Sequence, residues 1–181
     1  MIAHIYTVLQ HLLKDLDVKY INLFNGQFSD PTQDAIPYPA VLIDISFSES
    51  ERYAEKTQMF EVTADIYTGI EIYSSLRMGD KQQLESINKL NLLTDVFRAL
   101  ENKAENDLPD ELKKNYYNMG HIHRTNVELL TNYNAIKVIK SSFSFRFTDA
   151  SIQTEYDEKD VDYDLIIKML NGTEPKTILN L

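Results

Sequence analysis

The sequence predicts an α+β fold: a mostly antiparallel sheet packed against two amphipathic helices, with a C-terminal arm. Three observations predict it. Phe60–Tyr67 alternates apolar and polar residues with period two, the mark of a strand with one covered face. Pro37-Tyr38-Pro39 leads straight into the apolar run Ala40-Val41-Leu42-Ile43, a rigid start to a buried strand. On either side, Ile2–Leu16 and Leu84–Leu100 repeat apolar residues at helical steps, so each offers the sheet a stripe to bury.

The first helix rests on Ile2, Ile5, Leu9, Leu12, Leu13 and Leu16. Asp15 and Asp17 near its end oppose the helix dipole, so this terminus is expected to fray. A short strand over Tyr20–Phe24 follows, closed by the turn dipeptide Asn25-Gly26, and the polar stretch Gln27–Ile36 reads as a loop. Pro37 and Pro39 push Ile36 and Tyr38 into extended backbone. In the strand Val41–Phe47, Val41, Ile43, Ile45 and Phe47 share one face, with Leu42, Asp44 and Ser46 on the other. Ser48–Lys56 reads as the charged connection of a hairpin. The returning strand then lines Phe60, Val62, Ala64 and Ile66 against Glu61, Thr63, Asp65 and Tyr67.

Asp80 is a suitable N-cap for the second helix, with Gln83 as its capping-box partner. The stripe of that helix, about 81–102, is Leu84, Ile87, Leu90, Leu93, Val96, Phe97 and Leu100. Glu105–Lys114 is charged, and Pro109 suits the opening of a short helical turn. Two more strands are expected, over His121–Leu130 and Asn134–Thr148. In the latter Ile136 and Val138 oppose Ile139, Phe143, Phe145 and Phe147, which suggests a bulge near Lys140–Ser142. From Asp149 the composition shifts. Residues 151–181 carry seven acidic and three basic side chains, with Glu155–Asp164 nearly all acid or tyrosine before the apolar Leu165-Ile166-Ile167-Lys168-Met169-Leu170. Residues 1–148 are therefore read as one domain and 149–181 as an acidic arm whose apolar part wants a partner surface.

Composition narrows the function classes. The 181-residue chain has a net charge of −10, which disfavours a broad basic footprint for nucleic acid. It has no cysteine, which excludes disulfides and thiolate metal ligands. No basic segment precedes an apolar core at the N-terminus, and no apolar run is long enough to span a bilayer, so a soluble protein folding in a cytoplasm is expected.

No cluster carries recognisable chemistry. His121 and His123 share a strand face, a spacing seen in metal sites, but no third ligand stands near them in sequence. His4 and His11 share one helix face, at the edge of its stripe. Asp44 and Asp65, on adjacent strands, would share a proton or hold a cation if directly opposite; the plainer reading is that both face solvent or a neighbouring subunit. Phe143, Phe145 and Phe147 at strand spacing suit core packing better than base stacking, since only Lys137, Lys140 and Arg146 supply local positive charge. Asn171-Gly172-Thr173 matches a glycosylation acceptor but reads more simply as a turn. No cofactor, metal or catalytic residue is expected.

The order set out above resembles the tail-terminator (tail-completion) proteins of long-tailed bacteriophages. The likeness is carried by the helix Ile2–Leu16, the Pro37-Tyr38-Pro39-Ala40-Val41 lead-in, Phe60–Tyr67, the helix Leu84–Leu100 and a closing strand through Phe147. It implies a non-enzymatic virion protein, assembled in the host bacterial cytoplasm. Such a protein forms a homo-hexameric ring that caps the tail tube and joins it to the head. Its partners would be the tail tube protein and neck or connector proteins, with DNA only passing through the lumen and no membrane involved. Interface residues are then expected in the loop (Gln27, Asp30, Gln33), the hairpin connection (Ser48, Glu51, Arg52) and the arm (Tyr156, Ile166, Ile167, Leu170). The alternatives are a head–tail connector or neck protein at another position, and a small metal-dependent enzyme using His121, His123 and a carboxylate.

Overall fold

A computed structural model describes residues 1–28, 36–54, 57–72, 81–114, 117–130 and 136–151, without the side chains of 49–54, 82, 83 and 86. The elements in chain order are α1 (Ile2–Leu13), β1 (Tyr20–Leu23), β2 (Ala40–Ala54), β3 (Thr57–Glu71), α2 (Lys81–Leu100), β4 (Tyr117–Met119), β5 (His123–Leu130) and β6 (Ile136–Asp149). Between α2 and β4 lie two short 3₁₀ turns, Glu105–Asp107 and Asp110–Leu112, the second opened by Pro109 as expected. Asp80, Asp30, Gln33, the side chain of Gln83, Asn171-Gly172-Thr173 and the arm from residue 152 lie outside the described residues.

Six strands form one sheet in the order β1-β2-β3-β6, with β4 and β5 both paired along the far edge of β6. β1 runs parallel to β2, and every other pair is antiparallel. Both helices cover one face. Val41 and Ile43 of β2, Val62, Ala64 and Ile66 of β3, and Phe143, Phe145 and Phe147 of β6 pack there against Ile5, Val8, Leu9 and Leu13 of α1 and Leu92, Val96 and Leu100 of α2. The expected alternation of β2 and β3 is what assembles this core: the same face of each strand carries the branched aliphatics.

The structure corrects the expected boundaries in five places. First, α1 ends at Leu13, not Leu16, because the chain tightens into turns (Leu16 N–H to Leu13 O, 3.2 Å; Val18 N–H to Leu16 O, 2.8 Å). Asp15 and Asp17 are poor helix formers at the dipole's negative end, which accounts for the early stop. Ile2 stays 57 % exposed and Val8 takes its place in the core.

Second, Ser48–Ala54 is strand, not connection. β2 stays paired with β3 as far as Ala54↔Thr57, through register shifts at Phe47/Ser50 and Arg52/Ala54. Its backbone pairing with β3 defines this stretch, and no apolar alternation marks it in the sequence.

Third, β6 has no bulge. Its register with β3 is unbroken from Gln58↔Asp149 to Glu71↔Ile136. Ile139, Ser141, Phe143, Phe145 and Phe147 simply alternate with Val138; the small Ser141 interrupts the apolar series and mimics a phase change. The irregularity belongs to β5, where Thr125 is the extra residue between Arg124 and Asn126. Fourth, β4 is a strand of three residues, too short to show a pattern.

Fifth, α2 ends at Leu100, with Asn102 closing it in the left-handed region (φ 60°). Only the C-terminal half of its expected stripe is buried. Leu84 (56 %), Ile87 (50 %) and Leu90 (39 %) are exposed. The cause is the spacing: three residues turn a helix by roughly 300°. A row at strict three-residue steps therefore slips back about 60° each time, and from Leu84 to Leu93 it winds half-way round the helix. Leu92, Val96 and Leu100, at four-residue steps, are the residues that stay on the sheet.

Candidate interaction surfaces

Among the described residues, the second face of the sheet carries no helix. At one end aromatic rings cover it: Phe24 stacks on Tyr67 (centroids 4.0 Å apart) and Phe28 lies beside Tyr38 (6.2 Å). Phe28 and Tyr38 lie over Gly69, where an added Cβ would come within 2.7 Å of Phe28. Gly26 permits the turn that brings the segment back (φ 89°), and the Tyr38–Pro39 peptide bond is cis. Leu42 and Val138, in register beside Tyr67 and Gly69, are fully buried here. The expected polar face thus holds a small apolar core of its own.

Beyond the aromatic group this face is polar. Asp44 and Asp65 are direct register partners, meeting the condition set for a shared site. However, Asp65 turns both oxygens to β6, on its other side. One takes the Lys140 ammonium at 2.7 Å and the other accepts a hydrogen bond from the Ser142 hydroxyl at 2.6 Å. That bond to Asp65 holds the Lys140 pKa above its ordinary value. Ser144, opposite Thr63, donates diagonally to Glu61. The ladder ties β3 to β6 with hydrogen-bonded charges and forms no two-carboxylate centre. Asp65→Asn leaves the Lys140 ammonium without its counter-charge, so we expect a loss of about 1–3 kcal/mol, measured by urea unfolding.

The histidines are held by the C-terminal end of α2. His121 Nδ1 lies 3.1 Å from Asn102 O, and His123 Nδ1 lies 3.5 Å from a Glu101 oxygen, with the two rings 6.3 Å apart. The other Glu101 oxygen accepts the Arg124 backbone N–H at 2.9 Å. Among the described residues no group of three or more His, Asp or Glu converges so as to hold a metal ion. His4 packs between α1 and the sheet, 4.9 Å from the Tyr117 ring and 6.2 Å from Phe147. Burial, with the N-terminus and Lys114 nearby, lowers its pKa below 6.5. The unfolded chain therefore takes up this proton first. Its stability contribution is whole above pH 6.5 and is lost as pH falls from there through the folded value. Melting temperatures between pH 7.5 and 5 should fall more steeply for the native chain than for His4→Phe, which keeps a ring but cannot titrate.

The remaining residues expected at interfaces fall as follows. Gln27 braces its own turn, its amide donating to Leu23 O and its side-chain oxygen accepting from Asn25 N–H, both at 2.7 Å. Ser48 is exposed on β2 and donates to Glu61 O at 3.3 Å. Glu51 and Arg52 lie on β2 in register with Met59 and Gln58, their side chains outside the described residues. Tyr156, Ile166, Ile167 and Leu170 also lie outside them.

The surfaces that the sequence did not mark are apolar. One is the winding row on α2, read as core; its strict three-residue spacing was the available signal. The other is the helix-side face of β5, with Val127 50 % and Leu129 54 % exposed, beside Phe97, whose ring carries the Arg124 guanidinium at 4.0 Å. A cleft of about 380 Å³, lined by Asp17, Pro39, Glu85, Asn88, Lys89, Leu92 and Asp95, opens between the end of α1 and the N-terminal half of α2. No helix among the described residues is long and apolar enough to cross a membrane. No protein-family model and no curated protein sequence matches the chain.

Proposed function

We propose that this is a structural virion protein of the tail-terminator type, a homo-oligomeric ring that caps a phage tail tube and links it to the head or neck. The observation that carries the reading is the exposed row Leu84, Ile87 and Leu90 on α2. Three large aliphatics on one helix, left uncovered by their own sheet, favour packing against a second copy of the chain. The order of elements also agrees with the resemblance: helix, short strand, proline-led hairpin, long helix, closing strands. The charge of −10 suits a ring through which DNA passes without adhering.

Native mass spectrometry of the purified protein tests the reading. It predicts a closed assembly with a mass near six times the 21.0 kDa chain. A chain that stays monomeric at every concentration, alone and with tail tube protein, would overturn it.

A further inference from the structure

β5 is an edge strand: among the described residues it pairs on one side only, with β6. From Asn126 to Leu130 its register with β6 is regular, so its outer edge offers a straight row of backbone donors and acceptors. Its side chains alternate. Val127 and Leu129 project on the helix side, where both are half exposed, while Asn126, Glu128 and Leu130 project on the other. Glu128 stands opposite Lys140, whose ammonium goes to Asp65 instead. An uncovered strand with this pattern matches one sequence in the chain. Ile166-Ile167-Lys168-Met169-Leu170, set alongside Asn126-Val127-Glu128-Leu129-Leu130, puts Ile167 and Met169 beside Val127 and Leu129. It also puts the stretch's one charge, Lys168, beside Glu128.

Direction follows from the flanks. Run parallel to β5, the same alignment brings Asp164 next to Arg124, and Asn171-Gly172 falls where β5 ends. Run antiparallel, Lys168 still meets Glu128, but Asn171-Gly172 falls near Arg124 and Asp164 past Leu130, so the match of Asp164 with Arg124 is lost. The chain leaves the sheet in the right place. Asp149 pairs with Tyr117 of β4, on the same edge of β6 that carries β5. From there back to the level of Arg124, beside which Asp164 falls, is about 20 Å along the strand, and the residues 152–164 can span up to about 43 Å.

We propose that residues 164–170 add to the free edge of β5 within the same chain, as a parallel strand with Lys168 beside Glu128. The strand covers Val127 and Leu129, leaving the row on α2 as the apolar surface open to other molecules. A covered β5 does not rest on the tail-terminator reading, since a monomer would show it equally.

Amide hydrogen exchange at Asn126–Leu130, read by NMR, tests it on the full chain and on a chain ended after Ser151. The outward amides of β5 should exchange about tenfold or more faster in the shortened chain, with the β3–β6 amides unchanged. In the full chain Glu128→Lys should bring the same loss of protection, and Lys168→Glu on top of it should restore protection. Because the native sequence has no cysteine, Val127→Cys with Ile167→Cys should also oxidise to a disulfide within one chain. Equal exchange in the full and shortened chains, or cross-links only between chains, would overturn the proposal.

Discussion

Phe143→Ala is expected to cost about 3–5 kcal/mol, the largest loss of stability from any single truncation in this fold. Phe143 is fully buried near the middle of β6, paired with Ala64 on one side and Arg124 on the other. Its ring belongs to the cluster where Leu9 of α1 and Val96 of α2 meet the sheet. The strand cannot close the space left by the ring, because it is hydrogen-bonded on both edges. Urea unfolding at constant m-value measures the change. A cost below about 1 kcal/mol would mean that the helices do not pack where the structure puts them.

Ile87→Asp and Leu90→Asp are expected to have the opposite profile. Both side chains are substantially exposed, so unfolding free energy should move by no more than about 0.5 kcal/mol. Assembly should nonetheless fail, because a carboxylate buried against a neighbouring copy without a partner costs several kcal/mol at each interface. Light scattering should show the double variant as a folded monomer under conditions where the native chain assembles. Val96→Asp, nearly two turns beyond Leu90 and fully in the core, should unfold the chain and so mark the boundary between the two kinds of position. Assembly by the folded double variant would remove the α2 row from the account.

Much of the fold was legible because burial leaves a period in the sequence. Val41–Phe47 and Phe60–Tyr67 alternate because one face of each meets the helices, and their pairing followed from that alone. Where burial does not vary with position, no period appears. The continuation of β2 past Ser48 shows in its backbone pairing with β3, to which sequence patterns are blind, and β4, although Met119 is buried in the core, is too short at three residues to show a period. Leu42 and Val138 sit on a face that looked polar by its neighbours Asp44 and Lys140. Phe28 and Tyr38 lie over Gly69, the register partner of Val138, and Phe24 stacks on Tyr67, the partner of Leu42, so rings from the segments flanking β1 and β2 cover this end of the face.

The candidate surfaces were harder to read than the core. Leu84, Ile87 and Leu90 look like core because apolar residues at helical steps usually are; their three-residue spacing is the sign that one flat sheet cannot cover them all. Asp44 and Asp65 looked like a pair, and they are register partners, yet the nearer claim of Lys140 and Ser142 decides where Asp65 points. A charge's partner on a third strand is settled by strand order, which no local pattern reveals. The winding row thus gains meaning only once the sheet beneath it is known, and it then becomes the surface on which the function proposed here depends.

That dependence can be tested in particles. Electron microscopy of phage made without this protein, and with the Ile87→Asp, Leu90→Asp double variant in its place, addresses the central claim most directly. The account predicts tail tubes that overrun their normal length and do not join heads, in both cases, with the native chain restoring uniform joined tails. Tails of normal length joined to full heads in the protein's absence would contradict it.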